Sequence, residues 1–167
     1  MDQPAWLDFP RDNGDRLRVA EVIITGELSR RLSREPDHEA ENRALRALAE
    51  AMVTEPETVL QRLVEAAMAL TGSDSAGISL LEPGGAHGIF RWVAATGAFA
   101  HNLNGTMPRE ASPCGEVIAR DEVLLLNEGE RVFPALRDAR PKIYESLLAP
   151  FYIDGEPAGT VWALKHS

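Results

Sequence analysis

Cysteine is almost missing from this chain: Cys114 is the only one among 167 residues. One thiol excludes an internal disulfide and any multi-cysteine metal site. Positive charge is also in short supply, with 17 Lys and Arg against 26 Asp and Glu and a formal net charge of −9. Residues 1–56 hold 8 basic and 12 acidic side chains and residues 57–167 hold 9 and 14, so no basic tail or stripe exists to attract phosphates. Neither nucleic acid nor an anionic membrane is therefore expected as a partner. Long apolar runs are lacking: none approaches the ~20 residues needed to span a bilayer, and the N-terminus has no basic stretch followed by an apolar one. These absences predict a soluble, cytoplasmic protein. His38, His87, His101 and His166 are scattered, with no i, i+4 pairing to another ligand, so no metal site is predicted. Gly84, Gly85 and Gly88 sit in a turn with no following helix and no Lys-Ser or Lys-Thr partner, which argues against a phosphate loop.

What remains is globular. Hydrophobic residues make up 44% and charged residues 26%, enough to bury a core in one domain with an extension. In the extension, residues 1–54, Leu17, Ala20, Ile24, Leu28 and Leu32 recur every three or four positions and predict a helix over about 15–34. Pro36 ends it, and Asp37 can cap a second helix over about 38–53. That helix carries a narrow stripe, Leu45, Leu48 and Met52, of the kind that seals against a single neighbour. Residues 57–71 form a third helix with a wide apolar face (Val59, Leu60, Leu63, Val64, Ala67, Leu70), and Gly72 stands at the left-handed position beyond its end.

Strands follow. Residues 75–81 and 89–96 read as a hairpin around Pro83-Gly84-Gly85, and residues 97–108 as a loop. Ser112-Pro113 opens a short helix, with a capping hydroxyl and a proline suited to the first helical position. Residues 122–126 (EVLLL) are apolar enough for a strand buried on both faces, and residues 127–142 are a polar connection. Residues 146–165 then form two strands around Asp154-Gly155, a turn pair that accepts positive φ at both central positions. No βαβ repeat occurs, which predicts an α+β fold: a mostly antiparallel sheet flanked by helices.

Three blocks in order, Leu63 to Glu82, Arg109 to Glu128 with its Ser-Pro-Cys-Gly segment, and Leu147 to His166, resemble a GAF domain, more narrowly those of bacterial sensor histidine kinases and related signalling proteins. The resemblance spans about residues 55–167. It implies a central antiparallel sheet of five to six strands with helices on both sides. It also implies a small-molecule pocket between sheet and loops, or terminal helices that dimerise and relay signals. The C-terminal helix that usually leads from such a domain to an output module is not found, so the chain is expected to be a piece of a larger protein with its output domain after Ser167.

On that expectation the candidate pocket residues are Trp92, His101, Cys114, Tyr144, Phe151 and Trp162, and the candidate dimer helix residues are Leu45, Leu48 and Met52. The partners implied are a second copy, a small molecule and a linked output domain. The chain carries no kinase, cyclase or phosphodiesterase motif and is read as non-catalytic, with no cofactor required. Two alternatives stay open. One is a redox or cofactor-attaching protein using Cys114, placed at a helix N-terminus. Against it, methionine sulfoxide reduction on this fold needs more than one cysteine. Tetrapyrrole attachment usually needs a histidine beside the cysteine, whereas Cys114 is followed by Gly115. The other alternative is a pocketless domain used only for assembly.

Overall fold

The computed structural model describes residues 18–167. Among the described residues, three complete helices and six strands alternate with short 3-10 turns. They are α1 (His38–Thr54), α2 (Val59–Thr71), β1 (Ser75–Glu82), β2 (Ile89–Gly97), β3 (Thr106–Pro108), α3 (Pro113–Arg120), β4 (Leu124–Asn127), β5 (Glu145–Ile153) and β6 (Glu156–Lys165). All strand pairs are antiparallel, in the order β3-β2-β1-β6-β5-β4. The α+β sheet expected from the sequence is present, and its sixth strand, β3, lies at the end of the stretch read as a loop.

The local chemistry explains the boundaries. Asp37 caps α1 by accepting the Ala40 amide at 2.9 Å, and Ser112 caps α3 by accepting the Gly115 amide at 3.0 Å. Gly72 ends α2 at φ +65°. In the hairpin at the C-terminal end, Asp154 and Gly155 take φ +51° and +82°, as a two-residue turn between twisted strands demands.

Each face of the sheet has its own core. On one face α2 covers β1 and β2, with Val64, Ala76, Ile78 and Ala94 at the centre. On the other, α3 and the loops over residues 98–105 and 128–143 enclose a larger cluster that includes Phe90, Phe99, Cys114, Val117, Ile118, Phe133, Leu148 and Trp162. A bulge governs which residues go where. Ile78 pairs with Ala94 but Ser79 with Trp92, so Val93 is an extra residue on β2. The strand therefore changes phase. Phe90 and Trp92 belong to the loop-covered face and Ala94 to the helix-covered one, although plain alternation would put all three together.

In its described part the helix expected over 15–34 is confined to residues 18–20 and does not continue to 34; Asp15 and Leu17 lie outside the described residues. Residues 18–20 make one helical turn, Ile23 pairs as an isolated bridge with Leu126, and Thr25–Ser29 is a 3-10 turn. The physical reason is the run Val22-Ile23-Ile24-Thr25, four β-branched residues followed by Gly26, which favours extended backbone over a helix. The apolar stripe was misleading: Leu32 is fully exposed, whereas Val19 and Val22 are buried in the core beside Leu124 and Leu126. Backbone bonds from Ile24 N to Leu125 O (2.8 Å) and from Asn127 N to Val22 O (2.9 Å) strap this segment along the free side of β4. Arg31 clamps it further on, with both guanidinium nitrogens on Glu145 at 2.9 and 2.6 Å. An edge strand that would otherwise offer unpaired backbone groups is thereby covered.

Candidate functional site

Between the sheet and the loops lies a small, partly open cavity. Its floor is Phe90 and Trp92 of β2, Met107 of β3, Leu148 of β5, and Trp162 and Leu164 of β6, and Phe99, Leu136 and Ile143 form the roof. Cys114 and Pro113 approach from the start of α3, and Ser146 supplies a hydroxyl. The free volume is only about 40 Å³. A single water needs about 10–15 Å³ and two or more polar partners, whereas sites for organic ligands span roughly 300–1,000 Å³. The aromatic side chains themselves occupy the space. Phe99 meets Trp92 edge-on at 5.9 Å and Trp162 edge-on at 6.0 Å, the geometry that aromatic pairs prefer.

Beneath the cavity lies a short polar chain. Trp162 Nε1 donates to Ser79 Oγ at 2.9 Å, and the Cys114 thiol points to the same oxygen at 3.8 Å. Ser79 and Thr160 are both fully buried. Burial pushes the Cys114 thiol up from its ordinary value, and the Thr160 and Ser79 hydroxyls beside it only partly oppose this. The Thr160 hydroxyl is near the thiol without meeting hydrogen-bond geometry. A thiol in this setting stays protonated and packs as a small apolar group.

Of the six pocket residues expected from the sequence, Trp92, Cys114 and Trp162 meet at the cavity. The other three do not. His101 is exposed on the outer side of Phe99, with Nδ1 donating to Ala98 O at 3.1 Å. Tyr144 points outward and is 48% exposed. Phe151 packs on the helix-covered face, with the Val64, Ala76, Ile78 and Ala94 cluster. The walls that sequence reasoning missed are chiefly Phe99, Met107 and Ile143. Each is an isolated apolar residue in a stretch without period, and such singletons were the available signal.

The stripe on α1 is divided. Ala51 is buried against α2, and Leu48 is half-buried. Leu45 and Met52 are each 65% exposed. The helix therefore uses an alanine-rich side inward and leaves a leucine–methionine side outward.

The sequence model of the GAF domain family matches residues 53–167. The chain belongs to the GAF family. No curated protein matches it. Among solved structures, it is similar to the GAF domain from an Acinetobacter phosphoenolpyruvate-protein phosphotransferase, at 14% identity and TM-score 0.66, over 81% of this chain and 80% of that one. It is similar to the phycoerythrobilin-bound GAF domain from a cyanobacterial phytochrome, at 14% identity and TM-score 0.62, over 78% and 83%. The second GAF domain of DevS from Mycobacterium smegmatis matches at 20% identity and TM-score 0.51, over 66% and 74%. At these identities the likeness concerns the GAF fold.

Within this GAF domain the donor chemistry for a metal is thin: among the described residues no three His, Cys, Asp or Glu side chains gather in one place. No helix among them is long and apolar enough to cross a membrane.

Proposed function

We propose that this chain is a regulatory GAF domain of a bacterial signal-transduction protein, in which it serves as a relay and assembly module rather than a catalyst. The observation that carries this reading is the interior. Phe90, Trp92, Phe99, Met107 and Trp162 fill the space between sheet and loops down to about 40 Å³, with no charged side chain lining it. Such an interior has no acid, base or activated nucleophile to offer, since burial keeps Cys114 protonated. A sensor histidine kinase is the parent protein that the sequence resemblance favours.

The working surface in this reading is α1. Its exposed Leu45 and Met52 suit the same helix of a second copy, where pairing removes both from water. A signal then consists of a change in the relative placement of the paired helices, for which a few kcal/mol of differential affinity is sufficient. The test is light scattering during size-exclusion over a hundredfold range of concentration. A dimer that becomes monomeric in the Leu45→Glu, Met52→Glu variant, with unchanged circular dichroism, supports the relay. A monomer at every concentration in the parent chain discards it.

A second reading has one observation in its favour: the roof is built from two long loops rather than from regular elements. A small apolar ligand entering there has to lift these loops, so binding and loop displacement are one event. Calorimetric titration of candidate apolar ligands, with a Trp162→Ala variant to enlarge the cavity, separates this reading from the first.

A further inference from the structure

We propose that His166 is a proton-sensitive latch, which holds the loop that begins at Gly97 against the sheet through Ser75 and loosens it when the imidazole takes up a proton. The inference deepens the regulatory reading above, and rests on it only for the biological use of the loop. The latch itself is read without any ligand or partner, so its failure leaves the relay standing.

The geometry assigns every hydrogen. His166 Nδ1 lies 2.9 Å from Lys142 O, an atom that can only accept, so Nδ1 carries the proton of the neutral ring. His166 Nε2 is then an acceptor, 2.9 Å from Ser75 Oγ. The Ser75 hydroxyl gives it its one hydrogen. In turn Ser75 Oγ accepts the Phe99 amide at 3.0 Å. The neutral ring thus completes a chain from the 128–143 loop through His166 and Ser75 to the 97–105 loop, with every donor matched to an acceptor.

Protonation puts a hydrogen on Nε2, where the Ser75 hydroxyl hydrogen already points. Ser75 is fully buried, and its Oγ has no third partner among the described residues. The hydroxyl must turn. Its two lone pairs can take the imidazolium and the Phe99 amide together, but its own hydrogen is then left without an acceptor in a fully buried place. Turning Oγ to relieve that unmet donor gives up one of the two bonds it accepts; the charge-assisted one is the stronger, so the Phe99 amide is released. The ring of Phe99 stacks on His166 at 6.1 Å and 22°, and a cation over that face keeps the ring in place. The change therefore falls on the loop backbone.

The charged groups around the ring are themselves paired. Asp74 accepts the His166 amide at 2.9 Å through Oδ2 and holds Lys165 Nζ at 3.1 Å through Oδ1. Those two contacts keep the Asp74 carboxyl below its ordinary value, so it remains negative beside the imidazole. The ammonium of Lys142 is engaged by Glu130 at 2.8 Å, and Glu145 by Arg31. His101, on the far side of Phe99, is the other titratable group near this ring.

Amide hydrogen exchange of Phe99 tests the latch, measured by NMR from pH 8 to pH 5, the range in which histidines as a class change charge, and corrected for the intrinsic rate. In the parent chain the protection factor is expected to fall roughly tenfold towards pH 5, the loss of about one hydrogen bond. In His166→Gln, which keeps an acceptor without a titrating ring, it should stay within about twofold, and in His101→Gln the fall should persist. Should His166→Gln fail to fold, the parent chain alone decides. A pH-independent protection factor in the parent, or an equal fall in folded His166→Gln, overturns the latch.

Discussion

The indole of Trp162 lies directly across Gly77, its partner on the neighbouring strand. A Cβ on Gly77 would fall on the far ring atoms of Trp162 and against the Ala94 carbonyl. The same indole is anchored two residues further along β1 by its bond to Ser79. The absence of a side chain at one position thus allows the largest side chain of the interior to lie flat. Gly77→Ala should therefore destabilise the domain by roughly 1–3 kcal/mol, an overpacking cost with no flexible neighbour to absorb it. Denaturant unfolding followed by tryptophan fluorescence and near-UV circular dichroism measures it. A neutral effect would mean that Trp162 does not occupy this position.

Cys114 should react slowly. The thiol is 6% exposed and burial holds it above its ordinary value, so little thiolate is presented to solvent. A disulfide reagent at pH 8 should label it at the rate of global or local opening, far below that of a free thiol, and at full rate in denaturant. Ser79→Ala removes the acceptor of both the thiol and the Trp162 N–H and should cost roughly 1–3 kcal/mol. Fast labelling of the folded chain would return the redox or attachment reading of Cys114 to consideration.

The strap beside β4 should contribute through burial more than through charge. Val22→Ala removes two buried methylene equivalents from a fully packed site and should cost about 2 kcal/mol. Arg31→Gln should cost less than Val22→Ala at neutral pH, since the Arg31 side chain is 45% exposed and solvent screens the pair. The pH dependence identifies that pair. The Arg31 guanidinium holds the Glu145 carboxyl below its ordinary value of 4.5. A depressed carboxyl contributes stability above its unfolded value and loses it as pH falls through the folded one. The stability difference between parent and Arg31→Gln should therefore shrink below about pH 4.5 and vanish in stronger acid. A constant difference would show that the pair does not form.

The parts of the fold that were legible in the sequence are those with a period or a cap. The α2 stripe, the Ser112 cap, the Asp154-Gly155 turn and the buried run at Leu124–Leu126 each carry their own local cause. The segment 18–34 was misread because Ala20, Ile24, Leu28 and Leu32 keep helical spacing by coincidence, while the β-branched run within it pairs with β4, a contact about a hundred residues away that no local window contains. The cavity was half legible for a similar reason. Trp92 and Trp162 could be placed from strand alternation, but alternation also grouped Ala94 with Trp92, and only the bulge at Val93 separates them. Phe99 and Ile143 lie on loops, and what brings them to the sheet is the bonding around Ser75 and Lys165.

The interior filled by its own aromatic side chains is the point on which the account turns, and native mass spectrometry of the chain as purified from cells tests it most directly. The account predicts the mass of the bare chain or its dimer, with Cys114 unmodified and no small molecule retained. A stoichiometric adduct, covalent on Cys114 or released on denaturation, would contradict it and make ligand binding the primary role of the domain.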